Sequence, residues 1–279
     1  KISQNIIKIN KKRYENILRE PKKYLKWMRY TSYNKSELKS LNYDLKKIDY
    51  VIYAHSFCDG QLFFGLDGFA NLYDWLEFTI VELKKQNKNI IVKAHPNYYN
   101  KMFGKMASSD LKIFLFFKKK YESEKIKFID FPIENTRILE KLSKKTILIS
   151  HHGTAILEGT YAGFKQIFST AIMWTPDFGV GNQWSSLNEY KNLLNKKYEK
   201  LQLYSSKNLF YDLSNQIFFS KYAHGGSSNW FTIIEKYTKK INWKKVATQP
   251  HYLIKLMKSK KIKNKIINDI SKNIENVKI

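Results

Sequence analysis

A chain of 279 residues with 43% hydrophobic side chains has material for one large domain or two small ones, which excludes wholesale disorder. Its single cysteine, Cys58, excludes a disulfide framework and a multi-cysteine zinc site, and favours a reducing compartment. A formal charge of +26, carried almost wholly by lysine, has two readings: an anionic partner such as nucleic acid, anionic lipid or a phosphorylated substrate, or the codon bias of an AT-rich genome, since Ile and Asn abound as well.

Residues 1–46 are basic and loosely helical. Lys22, Lys23, Tyr24, Trp27, Met28 and Tyr30 mix charge with aromatics there, as an amphipathic helix with solvated lysines or as an interfacial contact with an anionic membrane. No apolar run approaches 18 residues, and the first residues lack the apolar region and cleavage site of a signal peptide. The expected location is the cytoplasm, including the inner face of the cytoplasmic membrane. Residues 49–55 read as a buried strand, followed by a loop with Asp59, Gly60, Gly65 and Gly68. Residues 72–86 read as a helix, with Leu72, Trp75, Leu76, Thr79, Ile80 and Leu83 on one face. A second strand, 89–94, ends at His95-Pro96-Asn97, where Pro96 holds His95 extended. Then come a helix over 101–125, a strand over 126–129, a short helix over 134–142 and a strand over 146–150. A helix over 155–162 ends at Gly163 and leads to a strand over 166–169. Strands alternating with helices predict a Rossmann-like α/β domain with a parallel sheet, residues 47–200. Within it, 175–183 reads as a loop, and Ser186 with Glu189 as a capping box opening a helix to residue 197. Residues 201–279 are aromatic, then basic and helical.

Ligands of an open parallel sheet bind beyond the carboxyl ends of its strands. Three polar clusters fall on such ends. In the first, residues 55–60, Asp59 is the general-base candidate for deprotonating an acceptor hydroxyl, and His55 stands with it as a catalytic candidate. A turn aspartate before Gly60 is the plainer reading. Cys58 is a poor nucleophile, because Asp59 disfavours its thiolate. In the second, His95 can donate to a phosphate oxygen and stabilise a leaving nucleotide, with Lys93 on the same side of the strand and Asn97 beside it. The third, Ser150-His151-His152-Gly153-Thr154, is a strand, a turn open to close approach, and a helix start whose free N–H groups suit a phosphate. Adjacent histidines point apart, so one of His151 and His152 faces the site. Glu158, one turn along, can accept from a ribose, or is a surface glutamate. Six histidines without ligand spacing predict no metal site.

The segments YDWLEFTI, NIIVKAHPN and HHGTAILEGTYAGFKQIFS, in that order, resemble the C-terminal, donor-binding half of bacterial capsule and lipopolysaccharide glycosyltransferases of GT-B architecture, over about residues 47–195. Shared features are a strand ending in K-x-H-P, a strand–Gly-Thr–helix with a glutamate, and a glycine before the next strand. Kdo transferases, sialyltransferases and teichoic-acid glycerophosphotransferases are relatives within that group. The resemblance implies that His95 and the Gly153-Thr154 turn hold the donor phosphate and Glu158 the ribose or sugar. Two departures stand out. One Rossmann-like unit is evident where GT-B enzymes have two, and Cys58-Asp59 replaces the acidic pair of the sialyltransferase group.

The resulting expectation is a metal-independent glycosyltransferase of surface-polysaccharide assembly. It would use a CMP- or NDP-linked sugar donor and a glycan or lipid-linked acceptor, with no cofactor. The same pocket suits transfer of glycerophosphate or phosphoramidate onto capsule sugars. A non-catalytic scaffold is a third reading. An RNA-binding protein, stacking bases on its 15% aromatics, is a fourth. With four arginines, no recognition motif and aromatics at core spacing, no nucleic-acid partner is expected.

Overall fold

Six short runs of aromatic and β-branched residues pair into one all-parallel sheet in a computed structural model that describes residues 43–57, 67–99, 104–153, 155–170 and 182–203, together with Lys12 and Asn264. The strands are β1 (Tyr50–Tyr53), β2 (Ile90–Lys93), β3 (Ile126–Ile129), β4 (Ile147–Ser150), β5 (Lys165–Ser169) and β6 (Asn182–Trp184), in the order β3-β2-β1-β4-β5-β6. That is a doubly wound, Rossmann-like order, which reverses between β1 and β4. Every residue of β1, β2 and β4 is buried, as befits strands covered on both faces. Chain contacts separate two units, Asn16–Leu209, which holds the sheet, and Lys1–Glu15 with Phe210–Ile279. The basic N-terminal and aromatic C-terminal extensions expected from sequence lie outside the described residues, apart from 43–46, 201–203 and the two isolated positions.

Alternate strand residues build two cores. One joins Tyr50, Ile52, Val92 and Ile149 to Trp75, Leu76, Ile80 and Leu83 of α1 (Leu72–Lys85) and to Phe114 and Phe117 of α2 (Gly104–Tyr121). The other joins Val51, Tyr53, Ile91 and Leu148 to Ile138 and Leu139 of α3 (Asn135–Leu139). Each fully buried large side chain contributes roughly 1.5–3 kcal/mol. The start of α1 is set by Asn71, whose Oδ1 accepts from the Asp74 amide at 2.8 Å.

Three expectations need correction. Residues 182 and 183 of the predicted loop 175–183 belong to β6, a strand made by tertiary pairing rather than by propensity. Asn182 Nδ2 donates to the carbonyls of Gln166 (2.8 Å) and Gln202 (2.9 Å), and Trp184 is fully buried. The helix after Ser186, α5 (Leu187–Leu194), stops three residues early, at the Asn195 cap. Ser186 caps it, but Glu189 reaches back to the amide and hydroxyl of Ser185, at 2.7 and 2.8 Å, so the reciprocal capping box is shifted by one residue. Helix α3 is also shorter than the predicted 134–142.

Candidate functional site

Strand register builds the site in two rows. Tyr53 pairs with Lys93 on one side and Ser150 on the other. Side chains two residues apart share a face. The same three chains therefore carry His55, His95 and His152 into a second row just beyond the sheet. The His55 and His152 rings lie 3.8 Å apart between centroids, and His55 and His95 5.3 Å apart. His55 and His152 follow β1 and β4, the pair where the strand order reverses and where doubly wound sheets bind ligands.

Local hydrogen bonds hold this row. The Tyr98 hydroxyl donates to the His55 carbonyl at 2.7 Å, and Ser56 Oγ donates to the buried Asp110 carboxylate of α2. Pro96 opens a 3-10 turn, Pro96–Tyr99, in which the Asn97 amide donates to His95 Nδ1 at 3.2 Å. The neutral His95 ring thus carries its proton on Nε2. Ser150 Oγ donates to the His152 carbonyl at 3.0 Å. Gly153 follows at φ +131°, a conformation suited to glycine, and among the described residues a Cβ there would meet only His55 Cδ2, 3.9 Å away. The turn is open beside the imidazoles. It leads into α4 (Ala155–Tyr161), which carries Glu158.

His151 takes the opposite direction. Its buried ring sits edge-on to Trp75 and Trp184, with centroids 5.6 and 5.7 Å away, and its Nδ1 shares a 2.9 Å hydrogen bond with His152 Nδ1. It supports the row from the core and does not line the open turn. Four of the chain's six histidines thus meet in one cluster. Among the described residues no three His, Cys, Asp or Glu side chains are grouped as metal ligands.

Below the histidines lies a second polar layer. Asn135 Nδ2 donates to Glu158 Oε2 at 2.8 Å, and Asn135 Oδ1 and the Tyr53 hydroxyl are buried in the same layer. Glu158 is half-buried and engaged with this layer rather than standing free on the outer face of α4. Lys93 is buried and makes no hydrogen bond or ion pair among the described residues. Burial pushes its ammonium down to about 8, against the opposing pull of Glu158. Burial raises Glu158, with Asn135 and Lys93 opposing. Burial, then His55, His151 and His95, push His152 down to about 2. Burial, then His55 and Lys93, hold His95 well below the usual imidazole range. At neutral pH His95 and His152 are therefore neutral and Lys93 is a poorly compensated ammonium, an environment that favours an incoming anion.

Of the residues singled out from sequence, the structure gathers His55, His95, His152, Lys93, Ser150 and Gly153, with Glu158 beneath them. Asn97 contributes its backbone amide. Asp59 and Thr154 lie outside the described residues. Tyr53, Tyr98, Asp110 and Asn135 join the site without having been singled out. Strand parity would have found Tyr53; the others arrive through contacts remote in sequence. Asp67 (φ +46°) and Gly68 (φ +97°) form a left-handed turn that leads into α1. Asp67 Oδ2 accepts from Ser169 Oγ and from Thr170 Oγ1 (3.1 Å), and a Cβ on Gly68 would lie 2.5 Å from the Leu187 nitrogen.

Compared with known protein families, curated proteins and solved structures, the chain finds no match. The fold and the site define it as a Rossmann-like α/β protein with a histidine cluster at the reversal of strand order.

Proposed function

We propose that this chain is a transferase using a nucleotide-activated donor, and specifically a sugar transferase of surface-polysaccharide assembly. The observation that carries the reading is the convergence of His55, His95 and His152, with buried Lys93 beneath, at the strand-order reversal beside the open Gly153 turn. The donor's phosphates lie in this crevice. The acceptor hydroxyl attacks the anomeric carbon, the carbon–oxygen bond to the phosphate breaks, and the nucleotide leaves with the charge. The Nε2–H of His95 donates to that developing charge, and Lys93 lowers the cost of bringing it in. The acceptor proton passes to a base, the role assigned to Asp59. No metal is needed where fixed donors and an ammonium neutralise the phosphate.

The test is calorimetry and thermal denaturation with CMP, CDP, UDP and GDP in EDTA, followed by product mass for each activated donor. A bound nucleotide at a hundredfold excess over Kd stabilises the protein by about 2.7 kcal/mol. His95→Ala is expected to retain the fold and lose transfer by roughly 100-fold or more, as for removal of an oxyanion donor. A folded protein that binds none of these nucleotides, or a His95→Ala variant with undiminished turnover, overturns the reading. A product mass increased by a phosphorus-containing group instead of a sugar redirects it to glycerophosphate or phosphoramidate transfer.

A further inference from the structure

Helix α2 turns outward a face that the sheet does not use. Its core side is Ala107, Asp110, Phe114 and Phe117. Its exposed side carries lysine, serine, leucine and phenylalanine after Gly104, and no acid. Lys105, Lys112 and Lys119, seven residues apart, form one line along the helix. Leu115 and Phe116 flank that line on either side, 41% and 51% exposed. Two neighbouring lysines are already engaged, Lys118 with Asp130 at 2.8 Å and Lys120 with Glu77 at 2.6 Å. The three in the line have no ion pair or side-chain hydrogen bond among the described residues.

We propose that this face of α2 docks on an anionic lipid bilayer. Leu115 and Phe116 enter the boundary between headgroups and acyl chains, and Lys105, Lys112 and Lys119 meet the lipid phosphates. A protein partner fits poorly, because lysine is depleted from protein interfaces. Nucleic acid fits poorly as well: its phosphates offer nothing to Leu115, and the face has no arginine. The surface stands on its own geometry and does not depend on the transferase reading.

The test is co-sedimentation of the full chain with phosphatidylcholine vesicles, with and without phosphatidylglycerol. Binding is expected to the anionic vesicles alone and to weaken with salt. Each lysine near the surface multiplies the partition by roughly fivefold, so Lys112→Glu with Lys119→Glu is expected to lower it by at least about tenfold. Leu115→Ser with Phe116→Ser is expected to lower it at unchanged net charge. All four positions are exposed, so circular dichroism and Tm should hold; if a double variant melts early, its single substitutions give the same reading. Three results overturn the proposal: no binding to anionic vesicles, wild-type binding by either double variant, or a charge-reversed protein that loses RNA while keeping lipid.

Discussion

Acid should destabilise this protein through its stacked imidazoles. In an unfolded chain His152 takes up a proton near its ordinary value of 6.5, whereas the folded ring refuses it down to about 2. The sign follows: below 6.5 the unfolded state binds more protons, so stability is full above that value and falls as pH falls through the window between 6.5 and 2. Within the window each such ring costs about 1.4 kcal/mol per pH unit. At about pH 5.5, His152 alone removes about 1.4 kcal/mol, against a typical stability of roughly 5–15 kcal/mol. His95, also held well below its ordinary range, pushes the same way. Glu158, raised by burial, pushes oppositely, because its protonation on acidification favours the folded state. Comparison with His152→Gln cancels both contributions. The assay is reversible urea unfolding followed by tryptophan fluorescence, at about pH 7.5 and about pH 5.5. Trp75 and Trp184, packed on His151, are placed to report it. The wild type should lose about 1.4 kcal/mol more than the variant over that interval. Equal losses would mean that the His152 ring titrates freely in the folded state and that the packing argument is wrong.

Lys93→Met replaces a buried ammonium with an apolar chain of similar length. Tm should hold or rise, while nucleotide affinity falls by at least about tenfold, a trade of stability for function read by calorimetry and melting. A Tm that falls with affinity intact would make Lys93 structural. Gly153→Val forces φ +131° on a β-branched residue, at a cost of order 1–3 kcal/mol, although its Cβ makes no clash with the described residues. Beside His55, the new side chain should also weaken nucleotide binding in the folded fraction. Unchanged affinity there would make the turn purely structural.

The buried strands were legible because parallel strands covered on both faces are short runs of β-branched and aromatic residues, as in Tyr50–Tyr53 and Ile147–Ser150. β6 was not. Its Asn182-Gln183-Trp184 has no strand pattern, and a neighbouring strand and the Asn182 side chain impose it from outside. The site's location was legible for the same topological reason, since polar residues at strand ends converge when strands are parallel. Which imidazole faces inward was not argued from sequence, although parity with Ser150 assigns His152 to the outer row and His151 to the tryptophans. Asn135 and Asp110 carried no local signal. They reach the cluster by pairing with Glu158, 23 positions later, and Ser56, 54 positions earlier.

The left-handed pair Asp67-Gly68 has a consequence for how such a protein can diversify. The chain leaves β1 with its exit tied by Tyr98 and Asp110; at Asp67 it is tied to Ser169 and Thr170, and at Gly68 it packs closely against the start of α5. The described residues on either side of 58–66 are therefore each moored to the scaffold. A change of length between these two anchors costs little stability, because loop-closure cost grows slowly with length. Asp67 and Gly68 cannot change so freely, since one holds the tether and the other has no room for a side chain. The fold can thus accept changes of chain length between two fixed splice points.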